Sequence, residues 1–227
     1  MCGEGRYGAV HRVEHRKTGQ IYAMKIFRHK GPASDDNLTS IRLMWHKEYE
    51  HLKLCHHRNI VKRSGAGRFK YCNVLDYAIL LEYCPLGSLS SWLDKVAKDE
   101  AEDALTLIYA LQIARDIACG LEFLHEAVTN VSTVRVPVAH RDIKSSNILL
   151  RSPDHAVISD FGLAITLNNL VDSGYSNINQ QPDMDVHRLK RCGTPRYLSP
   201  ELLEGPMDVH NFADAFRQGL NKIDRYR

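Results

Sequence analysis

The sequence has no C-x-x-C pair, no run of 18 or more apolar residues and no strong excess of either charge. Cys2, Cys55, Cys72, Cys84, Cys119 and Cys192 are scattered singly, which argues against a zinc site or a disulfide scaffold and fits a reducing compartment. Without a long apolar run this segment is not expected to cross a membrane, and its first residues do not read as a secretion leader. Thirty basic against 27 acidic residues leave a formal charge of +3, too small and too dispersed for a nucleic-acid footprint. The cluster Arg188, Lys190 and Arg191 reads as solvated loop charge. Among the 12 histidines, His46, His51, His56 and His57 lie close together but lack metal-ligand spacing, so they are expected to be structural or surface residues.

What is present is an ordinary globular composition. The chain has 227 residues, 44% hydrophobic and 25% charged, enough to bury a core as one large domain or two small ones. Its amino end alternates like strands, with "YGAVHRV", a "KTGQ" turn and "IYAMKIF" forming a hairpin with a glycine-rich entrance. "GPASDDN" reads as a loop, and Ile41 to Leu54 as a helix on the period of Ile41, Met44, Trp45, Tyr49 and Leu52. "YAILLEYC" has buried-strand length, and Ser88 is placed to cap a helix that follows.

Ala104 to Leu124 is the longest periodic segment, with Leu107, Leu111, Ala114, Ala118, Leu121 and Leu124 expected to face the core. After it comes the long loop "EAVTNVSTVRVPVA". "ILL" and "AVIS" read as two short strands around "SPD", and the chain is polar and irregular from Asp160 to about Arg191. Strands with one helix, followed mostly by helices, predict an α+β protein of two lobes with a cleft between them.

Four stretches carry chemistry. "GEGRYGAV" sets Gly3, Gly5, Gly8 and Val10 in the order G-x-G-x-x-G-x-V, where glycine lets backbone N–H groups approach phosphate oxygens. It lies between two strands, unlike a dinucleotide fingerprint, which opens a helix. On the second strand, Ala23 and Lys25 face the same way, and a lysine there needs an anion. Phosphate oxygens or a helix carboxylate would serve; Glu48 is the first choice for the carboxylate and Glu50 the fallback. "VAHRDIKSSNILL" crowds His140, Arg141, Asp142, Lys144 and Asn147 against an apolar edge, and "DFG" places Asp160 before Phe161 and Gly162.

Together with "GTPRYLSPE", these stretches resemble the eukaryotic protein kinase signature set over essentially the whole chain. The resemblance implies a two-lobed kinase fold with a small β-rich lobe over residues 1–84 and an incomplete, mainly helical lobe over 85–227. ATP and Mg²⁺ (or Mn²⁺) follow as cofactors. In that reading Asp142 accepts the substrate hydroxyl proton and Lys144 neutralises the γ-phosphate. Asn147 and Asp160 are the metal ligands, and Lys25, tethered by Glu48, holds the α- and β-phosphates. Val10, Ala23 and Leu149 sandwich adenine, while the backbone of Glu82 and Cys84, after Leu81, binds its edge. His140, Phe161 and Leu52 are given a structural role in an apolar stack.

Lys144 and Thr194 resemble serine/threonine rather than tyrosine kinases. The long loop, "ISDFGLA", "YLSPELLEG" and the "HKEYE" helix resemble receptor serine/threonine kinases of the TGF-β superfamily, most nearly the type II branch. That implies a membrane-bound parent with its kinase on the cytoplasmic side and a type I receptor kinase as protein substrate. A pseudokinase or scaffold and a soluble cytosolic Ser/Thr kinase are the alternatives. Ser173, Tyr175 and Ser176 are taken as ordinary loop residues, and Asp224 as a candidate for the acidic residue of a central helix. The chain as given is expected to expose apolar surface on the Ala104 to Leu124 helix and to be poorly soluble with little activity.

Overall fold

In the computed structural model, residues 3–5, 8–28, 35–71, 74–98, 107–126, 128–130, 133–135, 137–166 and 192–198 are described. Their elements run in the order β1 (Gly3–Gly5), β2 (Gly8–Glu14), β3 (Ile21–Phe27), α1 (Asp35–Leu54), β4 (Arg63–Tyr71), β5 (Val74–Glu82), α2 (Leu89–Ala97) and α3 (Leu107–His125). There follow β6 (Val128–Asn130), β7 (Thr133–Arg135), β8 (Val138–Ala139), β9 (Ile148–Ser152), β10 (His155–Ile158) and β11 (Ile165–Thr166). Cα packing groups residues 1–123 with 145–162 as one compact unit, and 124–144 with 163–227 as a second. No described helix is long and apolar enough to cross a membrane.

The first unit is built on an antiparallel sheet in the order β1-β2-β3-β5-β4. Gly8, at the start of β2, has φ +147°, and a Cβ there would lie 1.8 Å from the Ile26 carbonyl oxygen, so only glycine fits. Helix α1 packs on the sheet through Trp45, Glu48, Leu52 and, just past its end, Cys55, a stripe at helical spacing. Trp45 donates its indole N–H to the Ala78 carbonyl at 3.0 Å and stacks on Tyr49 with ring centres 5.4 Å apart. The Tyr77 ring also lies near Trp45, tilted against it with ring centres 5.1 Å apart.

The hairpin of β9 and β10 hangs from two anchors in this unit. On one side Val61 N–H donates to Ile158 O and Ile158 N–H to Asn59 O, both at 2.9 Å, while the buried Asn59 amide donates to Ala156 O at 3.0 Å. On the other side the buried Asp116 of α3 accepts the Ala156 N–H at 2.9 Å and is itself held by Gln112 at 3.2 Å. A main-chain N–H buried in a strand pair must find an acceptor, and here a carboxylate from a helix supplies it. Ser88 caps α2, accepting Ser91 N–H at 3.2 Å in extended backbone, as its sequence position predicts.

In the second unit β8 and β11 pair antiparallel, as do β6 and β7, and Val138, Ala139 and Ala164 are buried.

The structure departs from the sequence reading in four places. Helix α1 begins at Asp35, six residues before Ile41, because the acidic residues read as loop also suit a helix's first turn. Strand β4 was hidden by Gly65 and Gly67, which interrupt the side-chain alternation that marks a strand. The loop after α3 holds the short hairpin of β6 and β7. Helix α3 turns a different face inward over most of its length: Leu107 and Leu111 are 76% and 62% exposed, while Ile113, Asp116 and Gly120 are buried, and of the predicted set Leu124 is buried as expected. The leucines had the right period, but the buried stripe holds an aspartate and a glycine, which a search for apolar residues passes over. Of the predicted helix, 104–106 lie outside the described residues.

Replacing Asp116 with alanine strips the buried Ala156 N–H of its acceptor. The expected cost is about 1–3 kcal/mol of folding stability, read as a lower urea midpoint with unchanged slope. Asp116→Asn, which keeps an acceptor oxygen, is expected to cost less; equal loss in both variants contradicts the hydrogen-bond account.

Candidate active site

Strand alternation and register bring the expected pocket residues of the first unit to one face. Val10 pairs with Lys25 across β2 and β3, Ala23 lies two residues before Lys25, and Leu81 and Ile79 of β5 sit opposite Ala23 and Lys25. From the same face Lys25 Nζ donates to Glu48 Oε1 at 2.7 Å, Glu48 Oε2 at 2.6 Å and Asp160 Oδ1 at 2.8 Å. Glu50, the fallback partner, instead lies 3.7 Å from Lys53 on the same helix, with both side chains exposed. The choice between the two glutamates follows from the helix stripe, since Glu48 is three residues from Trp45 and four from Leu52.

The electrostatics of this triad depend on burial. The Glu48 side chain is 2% exposed, and burial pushes its carboxyl above the ordinary 4.5; Lys25 opposes this and Asp160 adds to it. Burial by itself would lower the Lys25 pKa, but the charges of Glu48 and Asp160, with their hydrogen bonds, reverse the sign and hold the ammonium above its usual range. Lys25 is therefore a fixed positive charge at any physiological pH. Close packing completes the arrangement: a Cβ added to Gly162 would meet Glu48 Oε2 at 3.3 Å and Asp160 Oδ1 at 3.4 Å.

Asp160 reaches Lys25 because the chain turns sharply after β10. Ser159 donates both its N–H, at 2.8 Å, and its hydroxyl, at 2.9 Å, to the Asn147 carbonyl, and Asp160 then takes φ +65°. That left-handed conformation is uncommon for a non-glycine residue, though aspartate tolerates it better than most. The two Ser159 bonds tie the backbone beside Asp160 to that of Asn147. Both residues offer hard side-chain oxygens, the donor type that Mg²⁺ takes, so the set fits a magnesium site.

The segment after β5 is tied to β9. Glu82 N–H donates to Lys62 O at 2.9 Å, Gly87 N–H to Cys84 O at 3.1 Å and Leu150 N–H to Gly87 O at 2.9 Å, and Ser88 bridges Leu149. Leu149 is half-buried on the opposite face of β9 from the buried Ile148 and Leu150. Burial, then the Glu82 charge, push the Cys84 thiol up to about 12, with Arg151 partly opposing, so this cysteine is no nucleophile near neutral pH.

In the second unit Asp142, Lys144 and Thr194 form a closed ring. Lys144 Nζ lies 2.7 Å from Asp142 Oδ2 and donates to Thr194 Oγ1 at 2.7 Å, while the Thr194 hydroxyl donates to Asp142 Oδ1 at 2.8 Å. Asp142 N–H donates to His140 Nδ1 at 3.3 Å. Arg141 has φ +65°, and its Nε donates to Leu163 O at 2.7 Å. Sequence reasoning used Thr194 only to assign a substrate class and missed its place beside the two charged residues. The signal was the hydroxyl in "GTPRY", but 50 residues separate it from Lys144. Ser173, Tyr175, Ser176, Asp224 and the Pro200-Glu201 pair lie outside the described residues.

A strand lysine held by a helix glutamate beside a glycine-rich hairpin, with an aspartate and lysine gathered around a hydroxyl, is the side-chain equipment of a phosphoryl-transfer protein. The chain matches the protein kinase domain over residues 1–221 and belongs to the protein kinase family. Its fold class is accordingly the two-lobed α+β one that the motifs predict. The chain is also 30% identical over 222 residues to Serine/threonine-protein kinase cst-1 of Caenorhabditis elegans, an alignment covering 98% of this chain and 36% of that protein. The chain thus spans about a third of the length of that curated relative.

Lys25→Met leaves Glu48 buried without its counter-charge and is expected to cost about 3 kcal/mol. A raised carboxyl pKa means that the folded state holds the proton more tightly than the unfolded chain. The Glu48 contribution is then complete below the ordinary 4.5 and is lost as pH rises through its raised value. The variant's deficit against wild type should therefore grow in urea titrations as pH rises above about 4.5. A deficit independent of pH contradicts the assignment of Glu48 as the buried partner.

Proposed function

We propose that this chain is the catalytic part of an ATP-dependent protein serine/threonine kinase, transferring the γ-phosphoryl group to Ser and Thr hydroxyls. The observation that carries the reading is the meeting of Lys25, Glu48 and Asp160, a fixed cation and an exposed carboxylate at the end of a glycine-rich hairpin. Support for the substrate class comes from the similarity to a serine/threonine kinase and from Thr194 beside Asp142.

Each side chain has a task. Gly3, Gly5 and Gly8 let the backbone approach the phosphates, and Lys25, held by Glu48, binds the α- and β-phosphate oxygens. Val10, Ala23 and Leu149 enclose adenine, and the backbone of Glu82 and Cys84 binds its edge. Asp142 orients the substrate hydroxyl and takes its proton, a role needing a carboxylate already held in place, as Lys144 and Thr194 hold this one. Lys144 offsets charge on the transferring phosphoryl group. Asn147 and Asp160 would hold Mg²⁺, which when bound neutralises phosphate charge. The small lobe is taken as residues 1–84, and residues 85–227 as belonging to the large lobe.

The finer reading is a type II receptor kinase of the TGF-β superfamily, membrane-anchored in its parent, with a type I receptor kinase as substrate. It rests on the long loop before "AHRD", "ISDFGLA" and "YLSPELLEG". Retention of Lys25, Asp142, Asn147 and Asp160 together speaks against a pseudokinase.

Asp142→Asn is expected to lower phosphorylation of a Ser/Thr substrate protein by about 10²–10⁴-fold in kcat, with MgATP binding little changed. Unchanged phosphorylation in the variant would remove Asp142 from the chemistry. For the receptor reading, the transcript upstream of Met1 should encode a span of about 20 apolar residues. A stop codon in frame before any such span leaves a soluble Ser/Thr kinase instead.

A further inference from the structure

One charged side chain outside the expected set makes an unusual number of well-formed contacts. Arg151, on β9, donates from Nε to Glu82 Oε2 and from Nη2 to Glu82 Oε1, both at 2.7 Å, a bidentate fork onto one carboxylate. Its Nη1 donates to the Arg58 carbonyl at 2.7 Å and lies 2.9 Å from His155 Nε2, which is also 3.3 Å from Arg58 O. Glu82 Oε1 accepts in addition the Lys62 N–H at 2.6 Å. Both carboxylate oxygens and all three guanidinium nitrogens are thus engaged, which fixes the two side chains in single rotamers.

Placement gives the pair its significance. Arg151 lies two residues after Leu149, so strand alternation puts both on the same face of β9, opposite the buried Ile148 and Leu150. Glu82 is the last residue of β5, where pairing with β3 ends at Tyr22. Beyond it the segment to Ser88 leaves the sheet. Its far end is tied to β9 by the Leu150–Gly87 bond, and its near end by Arg151. One strand therefore carries Leu149 and also clamps, at two points, the segment Glu82–Gly87.

We propose that Arg151 is a positioning residue for nucleotide binding: its fork on Glu82 sets the height of the Glu82–Cys84 backbone over Leu149, and so the width of the slot that takes the adenine ring. This rests on the kinase reading above, in which that backbone binds the adenine edge. Lysine cannot substitute for the fork, because a point charge fixes neither the plane nor the rotamer of Glu82. Arg151 touches no reacting atom, so its loss acts on nucleotide affinity and leaves the chemical step alone.

The test uses the chain as given, with MgATP binding followed by calorimetry and backbone amide exchange followed by mass spectrometry for Arg151→Ala, Arg151→Lys, Glu82→Ala and the double alanine variant. For Arg151→Ala the expectation is MgATP affinity about fivefold weaker. Exchange across residues 82–87 should be faster. Arg151→Lys should resemble Arg151→Ala more than wild type, and the double variant should lose less affinity than the two single losses added together, since both remove the same fork. Unchanged exchange in Arg151→Ala overturns the proposal. So does faster exchange with unaltered affinity, which makes Arg151 only structural, and so do additive losses in the double variant. A wild-type chain that binds no MgATP sinks the kinase reading and this proposal with it, and that outcome is visible before any substitution is made.

Discussion

The buried Glu48 carboxylate is the constraint around which the rest of the first unit is arranged. An ionised carboxylate out of contact with water is tolerated only beside a cation, and Lys25 supplies that cation from the facing strand. For the contact to form, α1 must lie on the sheet in one rotation, with Trp45 seated on Ala78 and Leu52 in the core. Strand β3 must keep the register that turns Lys25 toward the helix. Asp160 then joins the pair only if the chain leaves β10 in the turn held by Ser159. A one-residue slip of β3 would point Lys25 to the other side of the sheet and leave two carboxylates with nothing between them.

Much of this was legible in the amino-acid order, and the reason differs between elements. Strands β2, β3 and β5 carry the alternation or apolar run that physics demands of them, and Ser88 sits where a helix needs a cap. The motifs singled out Lys25, Asp142, Asn147 and Asp160 as candidates because charged and polar side chains at fixed short spacings are uncommon without a purpose. What the order could not convey is partnership at long range. Thr194 meets Lys144 across 50 residues, and nothing local to either announces it. Helix α3 shows a different limit. Its inward face is defined by what β10 needs, an acceptor at Asp116 and no side chain at Gly120, where a Cβ would come 2.8 Å from Ile158 Cδ1 and 3.0 Å from Asn59 O. Hydrophobic periodicity is blind to both.

The same logic explains why charged residues outside the motifs matter. Asp116 and Arg151 lie on elements that a pattern reading treats as packing material, yet each commits its charge to main-chain groups or to a single carboxylate. Polar groups inside a protein are held to a stricter account than apolar ones, since a missing hydrogen bond has no near substitute while a missing methyl often has.

Arg141 and Asp160 both adopt backbone angles that their own residue types disfavour, in the two separate stretches that carry the motif residues Asp142, Lys144 and Asp160. Their geometry is imposed from outside, by the Leu163 carbonyl in one case and the Asn147 carbonyl in the other. A residue that only shapes one of these turns can therefore move Asp142 or Asp160 without touching either.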